Sequence, residues 1–289
     1  MKFYFDCGLP RSGSTLLSAL LDQNPDIHAG VGSPVFELMY YSDDTLSNGL
    51  QAQAFPKPDV FRHIVRSNII NYYSDRDEPI VIDKCRVWSA HIDFLKKYVT
   101  DDPKLICIVR EPLDILASFI TLFNRDTNLP HPDGDKVMSR ISTLNSGIPN
   151  FIDLGMLRQG LTITDDNRCH YMMNPGGIVW ESMNALATEY RQNQKHHIHL
   201  IQYDDLVSDP EKVMQGIHWF LKLKPFEYDF NNVVAKDKEI FMRGKDAEVY
   251  GLPTMHEVRK EVKKISKPYT EVLSSEVIKE YINCDFWNN

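Results

Sequence analysis

The chain has 289 residues, enough to bury one large core, so a single elaborated domain spanning 1–289 is expected. Hydrophobic residues make up 43% and charged residues 25%, ordinary values for a soluble globular protein. The formal net charge of −8 excludes a general nucleic-acid-binding surface, which must be basic, so any anionic ligand needs a local cluster of positive groups.

The five cysteines are odd in number and scattered, with no C-x-x-C pair, which argues against a disulfide framework or a zinc ribbon. The opening "MKFYFDCG" does not read as a signal peptide, and no apolar run approaches 20 residues. A cytoplasmic, reduced protein with neither a nucleic-acid nor a membrane partner is therefore expected.

In chain order, "KFYFDC" (2–7) reads as the first strand. Leu16, Leu17, Leu20 and Leu21 then form one face of a helix that "NPD" (24–26) stops. "PIVID" (79–83) is a second strand, "WSAHIDFLKKYV" (88–99) a helix and "KLICIV" (104–109) a third strand. "PLDILASFITLF" (112–123) is helical, with Pro112 in its first turn. Residues 124–176, rich in Pro, Gly, Asn and Asp, break the pattern and read as a lid or substrate-facing insertion. A helix over 176–194, a strand "HIHLIQY" (197–203) and a helix over 209–223 follow, the last with Asp209 as N-cap and Pro210 at its first position. Apolar strands without clean alternation, separated by helices, predict an α/β fold: three layers, with a central parallel sheet covered on both faces. Ligands of such sheets bind beyond the carboxyl ends of the strands, where Gly8, Asp83-Lys84, Arg110 and Tyr203 all fall.

One strand end carries the sharpest motif. "CGLPRSGSTLL" (7–17) follows the phosphate-loop pattern G-x-x-x-x-G-K-[ST] from Gly8 through Gly13 to Thr15, except that Ser14 replaces the lysine. A glycine-bearing turn into a helix aims backbone N–H groups at one point beside the positive end of the helix dipole, so it binds an anion without that lysine. It is poorly equipped for the β,γ-phosphates of a nucleoside triphosphate. Arg11 restores one charge, and Ser12, Ser14 and Thr15 add hydroxyls.

"CIVREPLDILASF" places Arg110 at a strand end and Ser118 eight residues later, and Lys84 precedes Arg110 by 26 residues. On these residues the chain resembles the sulfotransferases that use 3′-phosphoadenosine 5′-phosphosulfate (PAPS). "LPRSGST" is similar to their 5′-phosphosulfate loop and to the P-R-S-G-[ST]-T form of the tyrosylprotein branch. Arg110 and Ser118 match their 3′-phosphate motif, and the Lys84–Arg110 spacing resembles the branch whose lysine acts in catalysis. The resemblance covers 1–31, 79–123 and 176–223.

It implies a P-loop NTPase-like sulfotransferase fold and transfer of a sulfuryl group from PAPS to a hydroxyl or amine, releasing 3′,5′-ADP without a metal. Arg11, Ser12, Gly13, Ser14 and Thr15 would hold the 5′-phosphosulfate, with Arg11 also acting on the transferred group. Lys84 would be catalytic, Arg110 and Ser118 would hold the 3′-phosphate, and Tyr203 would lie near the nucleotide. "IFMRGKD" is similar to an F-M-R-K-G segment of the cytosolic branch, which implicates Arg243 and Lys245, with His256 and Arg259 of "LPTMHEVRK" as rivals.

The general base departs from both branches. Arg86 stands where the cytosolic enzymes carry histidine, and "AGVGSPVFE" lacks the tyrosylprotein glutamate at its aligned place. Glu37, His91 and Asp83 are the candidates. The acceptor stays open among small molecules, carbohydrates and peptides. The competing reading is a Mg-ATP-dependent P-loop kinase in which Asp83, ending "PIVID", holds the ion. "KHHIH" (195–199) lacks acidic or cysteine companions at metal spacing and reads as solvated histidines.

Overall fold

The computed structural model describes residues 1–126, 150–192, 194–234, 258–264 and 266–288. Five parallel strands form one sheet in the order β2-β3-β1-β4-β5: β1 (Lys2–Gly8), β2 (Ile27–Ala29), β3 (Ile80–Lys84), β4 (Leu105–Val109) and β5 (Ile198–Gln202). The register sets Asp6 opposite Lys84 on β3 and opposite Ile106 on β4. Because side chains alternate along a strand, each face of the sheet builds its own core. Tyr4, Ile82, Ile106, Ile108 and Ile201 pack with helices α1 (Ser14–Leu21) and a later helix over 210–221. Phe5, Val81, Leu105, Cys107 and Val109 pack with the helices of the opposite layer. This is the expected three-layer α/β arrangement.

β1 leads to β2 and β3 on one side and is flanked by β4 on the other, so the strand order reverses between β1 and β4. Such a reversal opens a crevice outside the carboxyl ends, because the two connections leave on opposite sides of the sheet.

Between β2 and β3 stand three helices that the sequence reading lacked: α2 (Val35–Asn48), α3 (Leu50–Ala54) and α4 (Pro58–Tyr72). Their apolar stripes are narrow. Only Val35, Phe36 and Met39 of α2 and Val65 and Ile69 of α4 are buried, which leaves little periodic signal. The helix expected over 88–99 divides into a 3₁₀ turn (Arg86–Ala90) and α5 (Ile92–Tyr98), because His91 between them is non-helical at φ −134°. α6 (Pro112–Asp126) follows β4 as expected.

Within 124–176, residues 127–149 lie outside the described residues. The described remainder forms α7 (Phe151–Arg158) and α8 (Asp165–Met173). Arg168 ties them together through Asp153 at 2.7 and 2.8 Å and Asp165 at 2.7 Å, and its guanidinium covers the Phe123 ring of α6. α9 (Ile178–Arg191) begins after Gly177. The strand expected to reach Tyr203 stops one residue earlier, so Tyr203 opens the short helix α10 (Tyr203–Ser208). α11 (Pro210–Leu221) has the expected cap, with the Asp209 side chain accepting from the Lys212 N–H. α12 (Ser275–Tyr281) closes the described chain against α6 and α8.

Candidate active site

The turn from β1 into α1 is held in a conformation that only its own residues permit. Gly8 has φ +120°, and a Cβ there would sit 2.2 Å from the Ile108 carbonyl oxygen of β4. Gly13 has φ +95°, and a Cβ there would lie 2.6 Å from the Tyr203 ring. Between them Arg11 adopts φ +56°, an uncommon conformation for a side chain other than glycine. The buried Ser12 hydroxyl donates to the Leu9 carbonyl at 2.6 Å and pins the turn from inside. The first backbone bond of α1 runs from Leu17 N–H to Gly13, and no side chain caps the helix. The N–H groups of its first turn, from Ser14 and Thr15 onward, therefore lack intrahelical acceptors. Inward-curling dihedrals followed by a helix start make an anion-binding concavity.

Arg110 flanks that concavity across the β1/β4 crevice. It follows β4 directly, is buried, and donates from Nη1 to the Arg11 carbonyl at 3.1 Å. Its guanidinium lies 4.4 Å from the centre of the Tyr203 ring. Nε and Nη2 are buried without hydrogen-bond partners; Asp114, 3.9 Å away, is too far for one. Burial pulls the guanidinium pKa down from its ordinary value, yet an arginine keeps its charge. Two donors of the Arg110 guanidinium are thus left without hydrogen bonds beside the loop. Ser118, two turns into α6, accepts from Arg11 Nε at 3.3 Å, so Arg11 links the loop to the Arg110 side. The structure thus gathers Arg11, Ser12, Gly13, Arg110, Ser118 and Tyr203 from four separate stretches.

Lys84 ends β3 beside β1. Its stem is half-buried, while Nζ is shielded from water and has no hydrogen-bond partner. Burial pulls the ammonium pKa down to about 8 against the opposing pull of Asp6, with Arg86 adding to the depression. Asp6 is itself buried: Oδ2 accepts from Ser18 at 3.3 Å and Oδ1 has no partner. Burial pushes its carboxyl up to about 7, opposed chiefly by Lys84. The sequence reading missed Asp6, although a charged residue in an otherwise apolar strand, "KFYFDC", was the available signal.

The three base candidates differ in their surroundings. Asp83 is fully buried and already occupied, accepting from Ser33, from Tyr73 at 2.7 Å and from Trp88 at 2.6 Å. It is a buried acceptor for three donors from separate segments. His91 packs tilted or edge-on against Phe36 (4.8 Å), Tyr40 and Phe94, and burial lowers its pKa. Glu37 is exposed in the first turn of α2, where Phe36 packs on Trp88. Its charge reaches the end of β3, raising the pKa of Asp83 and of Cys85.

Arg243, Lys245 and His256 lie outside the described residues, and Arg259 is exposed. A different C-terminal cation reaches the crevice: Lys264 donates to Asp204 at 2.7 Å, lies 4.0 Å from Asp114, and its charge acts on Tyr203. Nothing in its local sequence distinguished it. A cavity of about 540 Å³ between α2, α4 and α5, lined by Asp43, Arg62, Lys97 and Tyr98 among others, contains none of these residues. Among the described residues no group of three or more His, Cys, Asp or Glu could hold a metal ion.

Three solved structures illustrate what the chain is similar to. A mouse sulfotransferase complexed with PAP shares 14% identity at a TM-score of 0.49, covering 98% of this chain and 86% of that one. A sulfotransferase domain from the curacin biosynthetic pathway shares 14% at 0.47, covering 96% of both. The sulfotransferase from Alicyclobacillus acidocaldarius shares 14% at 0.45, covering 82% and 87%. No curated protein sequence matches the chain. The family model described as the sulfotransferase domain matches residues 5–283, from the third residue before the loop glycine to beyond α12. With a lysine-free phosphate loop and a match of that length, the chain belongs to the sulfotransferase family.

Proposed function

We propose that this sulfotransferase draws its sulfuryl group from PAPS, passes it to a hydroxyl or amine acceptor, and releases 3′,5′-ADP. The observation that carries this reading is Arg110, which holds two buried, unpartnered donors beside the phosphate loop. A donor with phosphate groups at both the 5′ and the 3′ position fits two neighbouring cationic sites, whereas a triphosphate uses only the first.

When bound, PAPS supplies an activated sulfuryl group on a nucleotide leaving group. The task left to the chain is alignment and charge stabilisation, as in phosphoryl transfer. The N–H groups of residues 12–15 and the Arg11 guanidinium hold the 5′ end. Lys84 Nζ stabilises the charge that develops on the bridging oxygen. Arg110 and Ser118 hold the 3′-phosphate, with Tyr203 as the flat support under Arg110 and Lys264 as a further cation at the rim. Glu37 takes the acceptor proton: it is exposed, ionisable and close to the end of β3, whereas His91 is packed among aromatic rings. The acceptor is a small molecule, a carbohydrate or a peptide.

The kinase reading loses its ion ligand, since three donors occupy Asp83. No metal is needed for the proposed transfer. Among the described residues no helix is long and apolar enough to cross a membrane, and we place the enzyme in the cytoplasm.

The test is thermal stabilisation by 3′,5′-ADP, 5′-AMP and ATP at equal concentrations. The expected result is a clear preference for 3′,5′-ADP that disappears in Arg110→Ala. Equal shifts for 3′,5′-ADP and 5′-AMP would remove the basis for PAPS. An acceptor screen with labelled PAPS then defines the second substrate.

A further inference from the structure

Two opposite charges lie buried under the phosphate loop with incomplete partners. Asp6 and Lys84 are register partners on adjacent strands, and alternation sends both to the α1 face of the sheet. Asp6 Oδ1 and Lys84 Nζ are each shielded from water without a hydrogen-bond partner. α1 offers the Ser18 hydroxyl, β4 sets Ile106 beside Asp6, and β2 sets Ala29 beside Ile82. The remaining charges are Arg86, which opposes protonation of Lys84, and Asp83 on the other face, which opposes ionisation of Asp6. Glu37 acts on Asp83 and Cys85.

Resting on the role given to Lys84 above, we propose that Asp6 is the positioning residue for that lysine: its carboxylate is the counter-charge that keeps the buried ammonium protonated beneath the loop. Burial alone drives an amine toward neutrality, and a neutral Lys84 could not stabilise a departing anion. Asp6 is the negative group that opposes this from within the sheet. Because Nζ has no hydrogen-bond partner, it keeps its hydrogens available for the reacting group.

The experiment follows the Lys84 ammonium directly, by NMR of enzyme labelled with ¹³Cε-lysine, the signal being assigned by its absence in Lys84→Arg. In Asp6→Asn, which retains an acceptor for Ser18, the Lys84 midpoint is expected to fall by at least about one pH unit. The alkaline limb of kcat/KM with PAPS is expected to fall with it, while 3′,5′-ADP affinity stays unchanged. An unshifted Lys84 midpoint in folded Asp6→Asn overturns the proposal. Should that variant fail to fold, the wild-type Lys84 signal decides: a second inflection from Asp6 ionisation supports the pairing, and a single step at any midpoint overturns it. A shifted midpoint in an enzyme that does not use PAPS leaves the Asp6–Lys84 pairing standing and defeats only the functional reading.

Discussion

Asp83 and Lys84 are adjacent in the chain but serve different faces of the sheet. Asp83 accepts three hydrogen bonds that join β3 to Ser33 before α2, to Tyr73 at the end of α4 and to Trp88 of the 3₁₀ turn, so Asp83→Ala leaves three donors unpaired, two of them buried. At about 1 kcal/mol or more for each, the loss should reach at least about 3 kcal/mol in urea unfolding. A loss below about 1 kcal/mol would show that the hub is not structural. Lys84 should instead govern rate. Its pKa is lowered to about 8, so transfer that requires the ammonium is complete below that pH and declines as pH rises through it. A pH–rate profile flat to pH 10 would contradict this. For Arg110→Ala, loss of charge-assisted bonds worth about 1.5–3 kcal/mol should weaken 3′,5′-ADP binding by roughly 10- to 100-fold with little effect on 5′-AMP, as read by calorimetry.

Single elements divide between those whose signal is local and those whose signal is not. α11 was legible because Asp209 and Pro210 cap it in sequence, and Asp209→Ala should cost about 1 kcal/mol of stability while nucleotide affinity is unchanged. α2 and α4 were not legible, since each buries only a few residues against neighbours distant in sequence. The loop lies between these cases. Its glycines are visible in the sequence, but the reason for Gly13 is the Tyr203 ring, 190 residues away in the chain. Gly13→Ala combines a strained φ with a displaced Tyr203. It should therefore cost about 1–2 kcal/mol in stability and also lower 3′,5′-ADP affinity, measured by melting and calorimetry on the same variant. Unaltered affinity would mean that the Tyr203–Arg110 stack is not part of the nucleotide site.

At the scale of the whole molecule, the β1/β4 reversal brings the loop, Arg110 and Tyr203 together, and β1/β3 pairing adds Lys84 and Asp6. On the proposed metal-free transfer, EDTA should leave sulfuryl transfer from PAPS unchanged, and an activity restored only by Mg²⁺ would count against it. Alternation of apolar strands and helices, the glycine spacing of the loop and the Arg110/Ser118 interval were written in the chain itself, because each depends on neighbours a few residues apart. The surroundings of the base candidates depended on contacts between distant segments: Tyr73 and Trp88 donate to Asp83, and Phe36 packs against His91. The burial of Asp6 beside Lys84 was equally a product of strand pairing. A charge written in a strand reveals neither what stands opposite it nor whether water reaches it, and those two facts set its proton affinity.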